Sequence, residues 1–291
     1  MTVPARPTPL FADIADVSRR LAETGYLPDT ATATAVFLAD RLPTAPLGGG
    51  PPRGGQTELA RAVAQATGSG LVRLQCYEGV DEARALYEWN HAKQILRIQA
   101  GSGDWEATKT DVFSEEFLLQ RPLLTAIRRT EPTVLLIDET DKADIEIEGL
   151  LLEVLSDFAV TVPELGTLTA TRAPFVLLTS NATRELSEAL KRRCLYLHID
   201  FPTPELERRI LLSRVPELPE HFAEELVRII GVLRGMQLKK VPSIAETIDW
   251  GRTVLALGLD TIDDAVVAAT LGVVLKHQSD QQRATGELRL N

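Results

Sequence analysis

The sequence is poor in cysteine and histidine, the side chains that build disulfide frameworks and many protein metal centres. Only two cysteines, Cys76 and Cys194, occur in 291 residues, and they lie far apart in the chain. The four histidines show no ligand spacing with cysteines or acids. A disulfide scaffold and a metal centre built from these residues are therefore disfavoured, and the low cysteine content fits the reducing cytoplasm.

Long apolar runs and an excess of basic residues are also missing. No stretch approaches the length of a membrane-spanning helix, and the first ten residues contain no apolar signal-peptide core. The formal net charge is −10, which disfavours a general nucleic-acid-binding surface. We therefore expect a cytoplasmic protein with no membrane contact, and the charge disfavours a nucleic-acid partner while leaving room for a local basic pore.

The chain does contain short apolar strands that alternate with helical segments. Strands are predicted at 71–75, 134–137, 175–179 and 195–199, with a β-hairpin at 160–169. Helices are predicted at 11–25, 31–42, 57–67, 80–98, 114–129 and 145–158. From residue 205 onward the pattern is almost wholly helical. This order predicts an α/β fold with a parallel sheet in residues 1–202, followed by a small all-α domain in residues 203–291.

One predicted strand ends in two adjacent acids. Val134 to Ile137 are apolar, and Asp138 and Glu139 follow directly. A buried parallel strand of this kind delivers its carboxylates to the ligand-binding crevice at the carboxyl edge of the sheet. In P-loop ATPases the first acid supports Mg²⁺ and the second polarises the attacking water. The segment therefore indicates a Walker B strand.

The segment that should form the matching phosphate-binding loop lacks its lysine. A P-loop wraps phosphates with backbone N–H groups, while its lysine adds charge and its hydroxyl residue holds Mg²⁺. Here Gln56 replaces the lysine and Arg53 replaces a glycine, although Thr57 is in register. The candidate ATP-binding residues are Gly50, Pro51, Pro52, Arg53, Gly54, Gly55, Gln56, Thr57 and Glu58.

The sequence departs from that of a P-loop and its preceding strand over a whole block, residues 43–56, rather than at one position. Gly48 and Gly49 have no side chains to pack and predict a poor strand before the loop. If the reading frame is shifted by one base, so that each codon starts at the second base of the present one, the codons can encode other residues. The shifted codon can then encode Val at Gly48, Glu at Gly49, Gly at Arg53 and Lys at Gln56. The shifted text for residues 45–56 is Pro-Leu-Leu-Val-Glu-Gly-Pro-Pro-Gly-Val-Gly-Lys, which is a complete strand and P-loop.

Only the middle base of each shifted codon is free, so chance agreement over this block is improbable. We hypothesise a compensated frameshift over residues 43–56, arising from a sequence error or from two nearby insertions or deletions. The alternative is a genuinely degenerate loop, and resequencing the DNA separates the two. In either case the present chain should bind ATP more weakly than a parent with an intact loop.

The order of these motifs resembles that of the AAA+ ATPases, and most closely the MoxR family. Residues 57–64 resemble the family's P-loop helix, 162–168 its insertion hairpin and 177–181 its sensor 1. Residues 189–194 resemble its arginine-finger segment. Residues 242–250 resemble the lid of the branch found with gene sets for molybdenum-containing carbon monoxide dehydrogenase. The resemblance implies an AAA+ P-loop NTPase core followed by an α-helical lid.

The resemblance also implies roles for particular side chains. Thr57 and Asp138 would hold Mg²⁺, Glu139 would orient the attacking water, and Asn181 would position that water as the sensor. ATP would bind between the first strand, the P-loop helix and the lid.

Arg192 or Arg193, with a slight preference for Arg193, would reach the nucleotide of a neighbouring subunit in a ring, expected to be a hexamer. The sensor 2 residue of the lid is not identified, because no Ser-Pro-Arg stands where the family has it.

The implied function is ATP-driven remodelling of a metalloenzyme client during its maturation, together with a von Willebrand-type partner protein. A non-hydrolysing scaffold with a dead loop is the first alternative, and it predicts assembly without turnover. A nucleic-acid remodelling motor is the second, which the acidic charge disfavours and salt-sensitive DNA binding would reveal.

Overall fold

A computed structural model describes residues 9–42, 44–49, 55–100, 111–259 and 261–288. Within these ranges the chain forms two compact units. One unit contains the described strands, and the other is built largely from Ile199–Asn291.

Helices and strands alternate in the first unit. Its helices are α1 (Ile14–Glu23), α2 (Thr30–Arg41), α3 (Gln56–Thr67), α4 (Glu82–Ala85), α5 (His91–Ala100), α6 (Pro122–Arg128), α7 (Ile145–Asp157) and α8 (Glu188–Lys191). Its strands are β1 (Ala45–Gly49), β2 (Gly70–Gln75), β3 (Tyr87–Trp89), β4 (Leu118–Gln120), β5 (Thr133–Asp138), β6 (Ala159–Val162), β7 (Gly166–Thr169), β8 (Phe175–Ser180) and β9 (Cys194–His198). Single 3₁₀ turns lie at Glu115–Phe117 and Thr140–Lys142.

Five parallel strands form the central sheet, in the order β2–β5–β8–β1–β9. Both β5 and β8 are buried at every position, as expected for parallel strands whose two faces are covered. Leu135, Ile137 and Leu178 lie in the apolar core of this unit. The predicted α/β class is confirmed, and the order brings the carboxyl ends of β5, β8 and β1 to one edge.

The glycine-rich strand β1 forms and pairs on both sides. It runs parallel to β8 and to β9, with Gly48 opposite Thr179 on one side and Leu197 on the other. All five residues of β1 are buried. The expectation of a poor strand concerned side-chain packing, and β1 pairs all the same because the backbone hydrogen bonds to two neighbours do not need side chains.

Two segments predicted to be helical, 80–98 and 114–129, each contain a short strand. Strands β3 and β4 pair antiparallel, with Tyr87 opposite Gln120 and Trp89 opposite Leu118. Each strand has only three residues, and its partner lies far away in the sequence. Local periodicity carries no signal for such a pair, so the helical prediction was wrong there.

The hairpin predicted at 160–169 is confirmed. Strands β6 and β7 pair antiparallel, with Val162 opposite Gly166. Gly166 has φ of 78°, in the left-handed region that glycine adopts without a steric penalty.

The second unit is helical, as predicted for the tail of the chain. Its helices are α9 (Pro204–Arg214), α10 (Glu220–Gly235), α11 (Ile244–Ala256), α12 (Asp264–Val274) and α13 (Gln278–Glu287). Trp250 lies in its apolar core, and its indole N–H donates to the Thr270 hydroxyl at 2.8 Å. Within the described ranges, no helix combines the length and apolar character needed to cross a membrane.

Candidate functional site

The predicted acids lie at the carboxyl end of β5. Val134 to Ile137 are fully buried, and Asp138, the last residue of the strand, is 3 % exposed. Glu139 follows at the start of the next turn and is partly exposed. The strand thus places one carboxylate inside the sheet edge and the next at its surface.

Three side chains from three elements donate hydrogen bonds to the Asp138 carboxylate. The Thr57 hydroxyl of α3 lies 3.2 Å from Oδ1 and 3.3 Å from Oδ2. Arg73 of β2 donates from Nε at 3.1 Å and from Nη2 at 2.5 Å, both to Oδ2. Thr179 of β8 donates its hydroxyl hydrogen to Oδ1 at 2.5 Å. The buried carboxylate is therefore both paired and hydrogen-bonded, as a buried charge must be.

The predicted Mg²⁺ ligands, Thr57 and Asp138, are brought together by the fold. Mg²⁺ prefers oxygen ligands and is commonly held by one or two protein side chains together with substrate phosphates and water. A hydroxyl and a carboxylate that meet across α3 and β5 fit this chemistry. In the part of the chain that the structure describes, no cluster of three or more His, Cys, Asp or Glu residues could hold a metal.

Glu139 adopts a backbone conformation that is rare for a residue with a long side chain. Its φ of 56° and ψ of 48° lie in the left-handed region, which costs a non-glycine residue on the order of 1–2 kcal/mol. Its N–H donates to the Thr179 hydroxyl at 2.9 Å. Its carboxylate accepts from Lys142 at 2.5 Å, and this bond raises the pKa of Lys142. Conformations of this kind concentrate at functional sites.

Asn181, the predicted sensor, follows β8 and is held by a buried acid that the sequence did not single out. Asp141 Oδ1 accepts the Asn181 N–H at 3.1 Å, and Oδ2 accepts the Thr183 N–H at 3.0 Å and its hydroxyl. Burial acts to raise the pKa of Asp141, but the bonds from Thr183 and Asn181 outweigh it and hold that pKa below its ordinary value. Asp141 therefore fixes the loop that carries Asn181.

A second buried acid anchors the same loop further along. Glu148 of α7 accepts from Arg184 Nη2 at 2.5 Å and from the Ser187 N–H at 3.0 Å. Burial acts to raise its pKa, and the bonds from Ser187 and Arg184 outweigh it, so the pKa of Glu148 is lowered. The loop after β8 is thus attached at two points to the segment after β5.

Cys76 lies beside these acids but is unsuited to thiolate chemistry. Its N–H donates to the backbone oxygen of Asp138 at 2.8 Å. Burial, together with the charges of Asp138, Asp141 and Glu139, raises the pKa of Cys76 to about 12. The thiol therefore stays protonated near neutral pH, which disfavours a nucleophilic role.

The two candidate finger arginines differ in their contacts. Arg193 donates from Nε to the Ser156 hydroxyl and from Nη1 to the Ala189 backbone oxygen at 3.4 Å. Arg192 is exposed at the end of α8, and its side chain has no hydrogen bond or ion pair with a described residue. Arg193 would have to release these bonds to reach a neighbouring subunit.

The phosphate-loop candidates are only partly described. Outside the described residues lie Gly50, Pro51, Pro52, Arg53 and Gly54. Gly55 has φ of 98°, a conformation that glycine alone adopts readily. Gln56 begins α3 and is 5 % exposed, while Glu58 forms a surface ion pair with Arg61 at 2.8 Å.

A protein-family model describes the same part of the chain. The model of the ATPase family associated with various cellular activities (AAA) matches residues 47–203, which is more than half of the chain. The chain belongs to the AAA family. Membership implies nucleotide binding, typically with Mg²⁺, and AAA proteins typically form oligomers.

Two solved structures of point variants of Thermotoga maritima RuvB are similar to this AAA protein. The first shares 18% identity, with 92% of this chain and 73% of that chain covered and a TM-score of 0.50. The second shares 17% identity, with 98% and 74% covered and a TM-score of 0.49. Likeness at this level of identity shows the fold alone. No curated protein matches the chain.

Three residues of the AAA site were missed from the sequence, namely Arg73, Thr179 and Asp141. The only signal for Arg73 was a basic residue inside an apolar strand, and for Asp141 a third acid shortly after the Walker B pair. Thr179 gave no signal of its own. Their contacts depend on β2 and β8 both lying beside β5, which local patterns do not reveal.

Proposed function

We propose that this AAA protein is a MoxR-type ATPase that binds ATP with Mg²⁺ and hydrolyses it to remodel a protein client. The observation that carries the proposal is the meeting of Thr57, Asp138 and Glu139 at the carboxyl end of β5. A hydroxyl from a helix N-terminus, a buried carboxylate and a surface carboxylate are the parts that phosphoryl transfer to water requires there.

The proposed role of each residue follows from its position in the site. Thr57 and Asp138 would hold Mg²⁺, which when bound neutralises charge on the phosphate oxygens. Glu139 would orient the attacking water and accept its proton, and Asn181 would position the same water from the loop after β8. The protein's contribution is placement and charge rather than covalent chemistry.

A finger arginine would complete the site from a neighbouring subunit in a ring, for which a hexamer is the proposed size. Arg193 is the first candidate and Arg192 the second. The exposed position of both residues supports a contact in trans, and Arg192 has no bond within the described chain to release.

The division of labour along the chain follows from the same proposal. Residues 1–202 would form the nucleotide-binding domain and residues 203–291 the lid. The client would be a metalloenzyme under maturation, with a von Willebrand-type partner protein, in the cytoplasm. A gene neighbourhood that encodes such a partner and dehydrogenase subunits would support this assignment.

The degenerate loop weakens the present chain for this function. Gln56 cannot supply the charge that a lysine gives to phosphate, and Arg53 adds a side chain where the backbone must approach closely. We define the restored chain as the one with Pro-Leu-Leu-Val-Glu-Gly-Pro-Pro-Gly-Val-Gly-Lys at positions 45–56. Under the frameshift hypothesis the restored chain carries the first strand and the phosphate-binding loop of the parent protein.

The test measures ATP binding and phosphate release by the restored chain, with and without EDTA. We expect turnover that EDTA abolishes, and loss of turnover in Asp138→Asn because that change removes a Mg²⁺ ligand. Asp157→Asn, an exposed aspartate at the end of α7, is the matched control and should keep full activity. Melting temperatures of all three chains show whether each variant is folded.

A second candidate function is a non-hydrolysing scaffold. It is favoured by the buried Gln56, which stands in place of the lysine that gives charge to phosphate. It predicts that the present chain assembles normally without releasing phosphate, and that resequencing finds the degenerate loop in the gene itself. That result would contradict the proposed hydrolysis while leaving the AAA fold untouched.

A further inference from the structure

Thr179 links the two acids of the site through a single hydroxyl group. It lies on β8 directly beside β5, and it is 3 % exposed. The hydroxyl donates to Asp138 Oδ1 at 2.5 Å and accepts the Glu139 N–H at 2.9 Å. Since a hydroxyl has only one hydrogen, that hydrogen is committed to Asp138 and a lone pair faces Glu139.

These two bonds fix the rotation of the Asp138 carboxylate and the backbone conformation of Glu139, both of which matter for the reaction. The bond to Oδ1 sets the rotation of the Asp138 carboxylate, whose other oxygen accepts from Arg73. The bond from the Glu139 N–H holds that residue in its left-handed conformation, which it would otherwise leave to relieve strain. The direction in which the Glu139 side chain leaves the backbone therefore depends on Thr179.

We propose that Thr179 is a positioning residue for hydrolysis, whose hydroxyl sets the mutual orientation of Asp138 and Glu139. The inference rests on the proposed function and goes beyond it, because that function gives Thr179 no role, whereas its hydroxyl bonds both to the Mg²⁺ ligand Asp138 and to Glu139. Catalysis that depends on placement is lost when a supporting contact lets the reacting groups move by about 1 Å.

The activity test compares substitutions of Thr179 in the restored chain. Thr179→Val keeps the shape but removes the hydroxyl, and we expect kcat to fall at least about tenfold, equal to ~1.4 kcal/mol, while KM changes by less than about threefold. Thr179→Ser keeps the hydroxyl and should restore most of kcat. Thr179→Ala loses the same methyl as Ser, so a Ser-to-Ala comparison isolates the hydroxyl if the Val variant does not fold.

The matched control is Thr133→Val, at the opposite end of β5. Thr133 is also buried, and its hydroxyl donates to the Glu131 backbone oxygen at 3.0 Å. Its loss should lower the melting temperature without changing kcat. A Thr179→Val variant with the same kcat as Thr133→Val, or a Ser variant no more active than Ala, would overturn the proposal.

A second measurement does not need ATPase activity and uses the present chain. Melting temperatures are compared for Thr179→Val, Asp138→Asn and the double variant. If the hydroxyl orients Asp138, the two changes should be non-additive, with the double variant losing clearly less than the sum of the single losses. Additive losses would overturn the coupling. If the losses in the present chain are non-additive but the restored chain shows no turnover, only the proposed hydrolysis is refuted.

Discussion

At the scale of single residues, the site is defined by what holds Glu139. The residue has a left-handed backbone, its N–H is bonded to Thr179, and its carboxylate pairs with Lys142. The Lys142 contact is partly exposed, so it contributes little to stability and can open when a water molecule and a nucleotide are present. The carboxylate is thus placed by the backbone rather than by its ion pair.

Replacing Glu139 with Gln in the restored chain should abolish hydrolysis and leave ATP binding intact. Glutamine keeps the shape but cannot accept a proton from water, so only the chemical step is affected. Phosphate release and nucleotide affinity are the two measurements. Glu146→Gln, an exposed acid in the first turn of α7, is the control, and turnover by Glu139→Gln near that of the restored chain would remove Glu139 from its role.

Asp141 gives the fold a pH dependence with a defined sign. Its pKa is lowered in the folded state, so its contribution to stability is present above its unfolded pKa and is lost as the pH falls through the folded value. Asp141→Asn should therefore lower the free energy of unfolding at pH 7, by about 1–3 kcal/mol, and the difference should shrink below about pH 4. Urea unfolding of both chains across this range is the measurement, and a difference that stays constant with pH would contradict it.

The sequence predicted the residues that directly follow apolar strands, but not those that act across strands. Asp138, Glu139 and Asn181 stand at strand ends, where polar side chains after an apolar run are informative by themselves. Arg73 and Thr179 could not be predicted, because their role depends on β2 and β8 being the two neighbours of β5. Strand order is a tertiary property and leaves no local pattern.

At the scale of elements, β1 shows that a glycine-rich segment with few side chains to pack can still form a strand. Backbone pairing to β8 and β9 keeps Ala45–Gly49 in place, yet its glycines contribute no side chain to the core. A Cβ at Gly48 would lie 3.5 Å from the Gln56 side chain, an ordinary contact, whereas a Cβ at Gly49 would lie 2.7 Å from the Tyr196 hydroxyl. The two glycines should therefore respond differently to substitution.

Gly48→Val should stabilise the present chain by about 1.5–3 kcal/mol, because a buried valine replaces a residue without a side chain. Gly49→Val should gain less, because Tyr196, which is 65% exposed, must move first. Urea unfolding of the two variants checks the order. A larger gain at Gly49 than at Gly48 would show that this account of packing around β1 is incorrect.

The short antiparallel pair of β3 and β4 shows the limit of element prediction. The long periodic segments, such as α3 and α7, were predicted to within two residues, whereas three-residue strands were read as helix. Their formation depends on partners about thirty residues apart, including the ion pair of Glu88 with Arg121 at 2.6 Å. Pairing over that distance is invisible to a local hydrophobic period.

At the scale of the whole molecule, the proposal requires that subunits share sites. If the finger acts in trans, mixing Arg193→Ala subunits with Glu139→Gln subunits of the restored chain should recover part of the activity, because some interfaces then pair an intact acid with an intact arginine. Phosphate release by the mixture, with mixed assembly checked by mass, is the measurement. The same mixture made with Arg192→Ala tells the two arginines apart, and no recovery with either would argue against a finger in trans.

The central claim is that the AAA ATPase site is intact apart from its degenerate phosphate-binding loop. A comparison of three chains tests this claim most directly. Phosphate release and melting temperature are measured for the present chain, for Gln56→Lys and for the restored chain. The account predicts little or no turnover in the first, partial recovery in the second because Arg53 and the glycines of β1 remain, and full recovery with a higher melting temperature in the third. If Gln56→Lys alone equalled the restored chain in both activity and melting temperature, the block would be a point degeneration and the frameshift account would be contradicted. If the restored chain released no phosphate, the proposed hydrolysis itself would be contradicted.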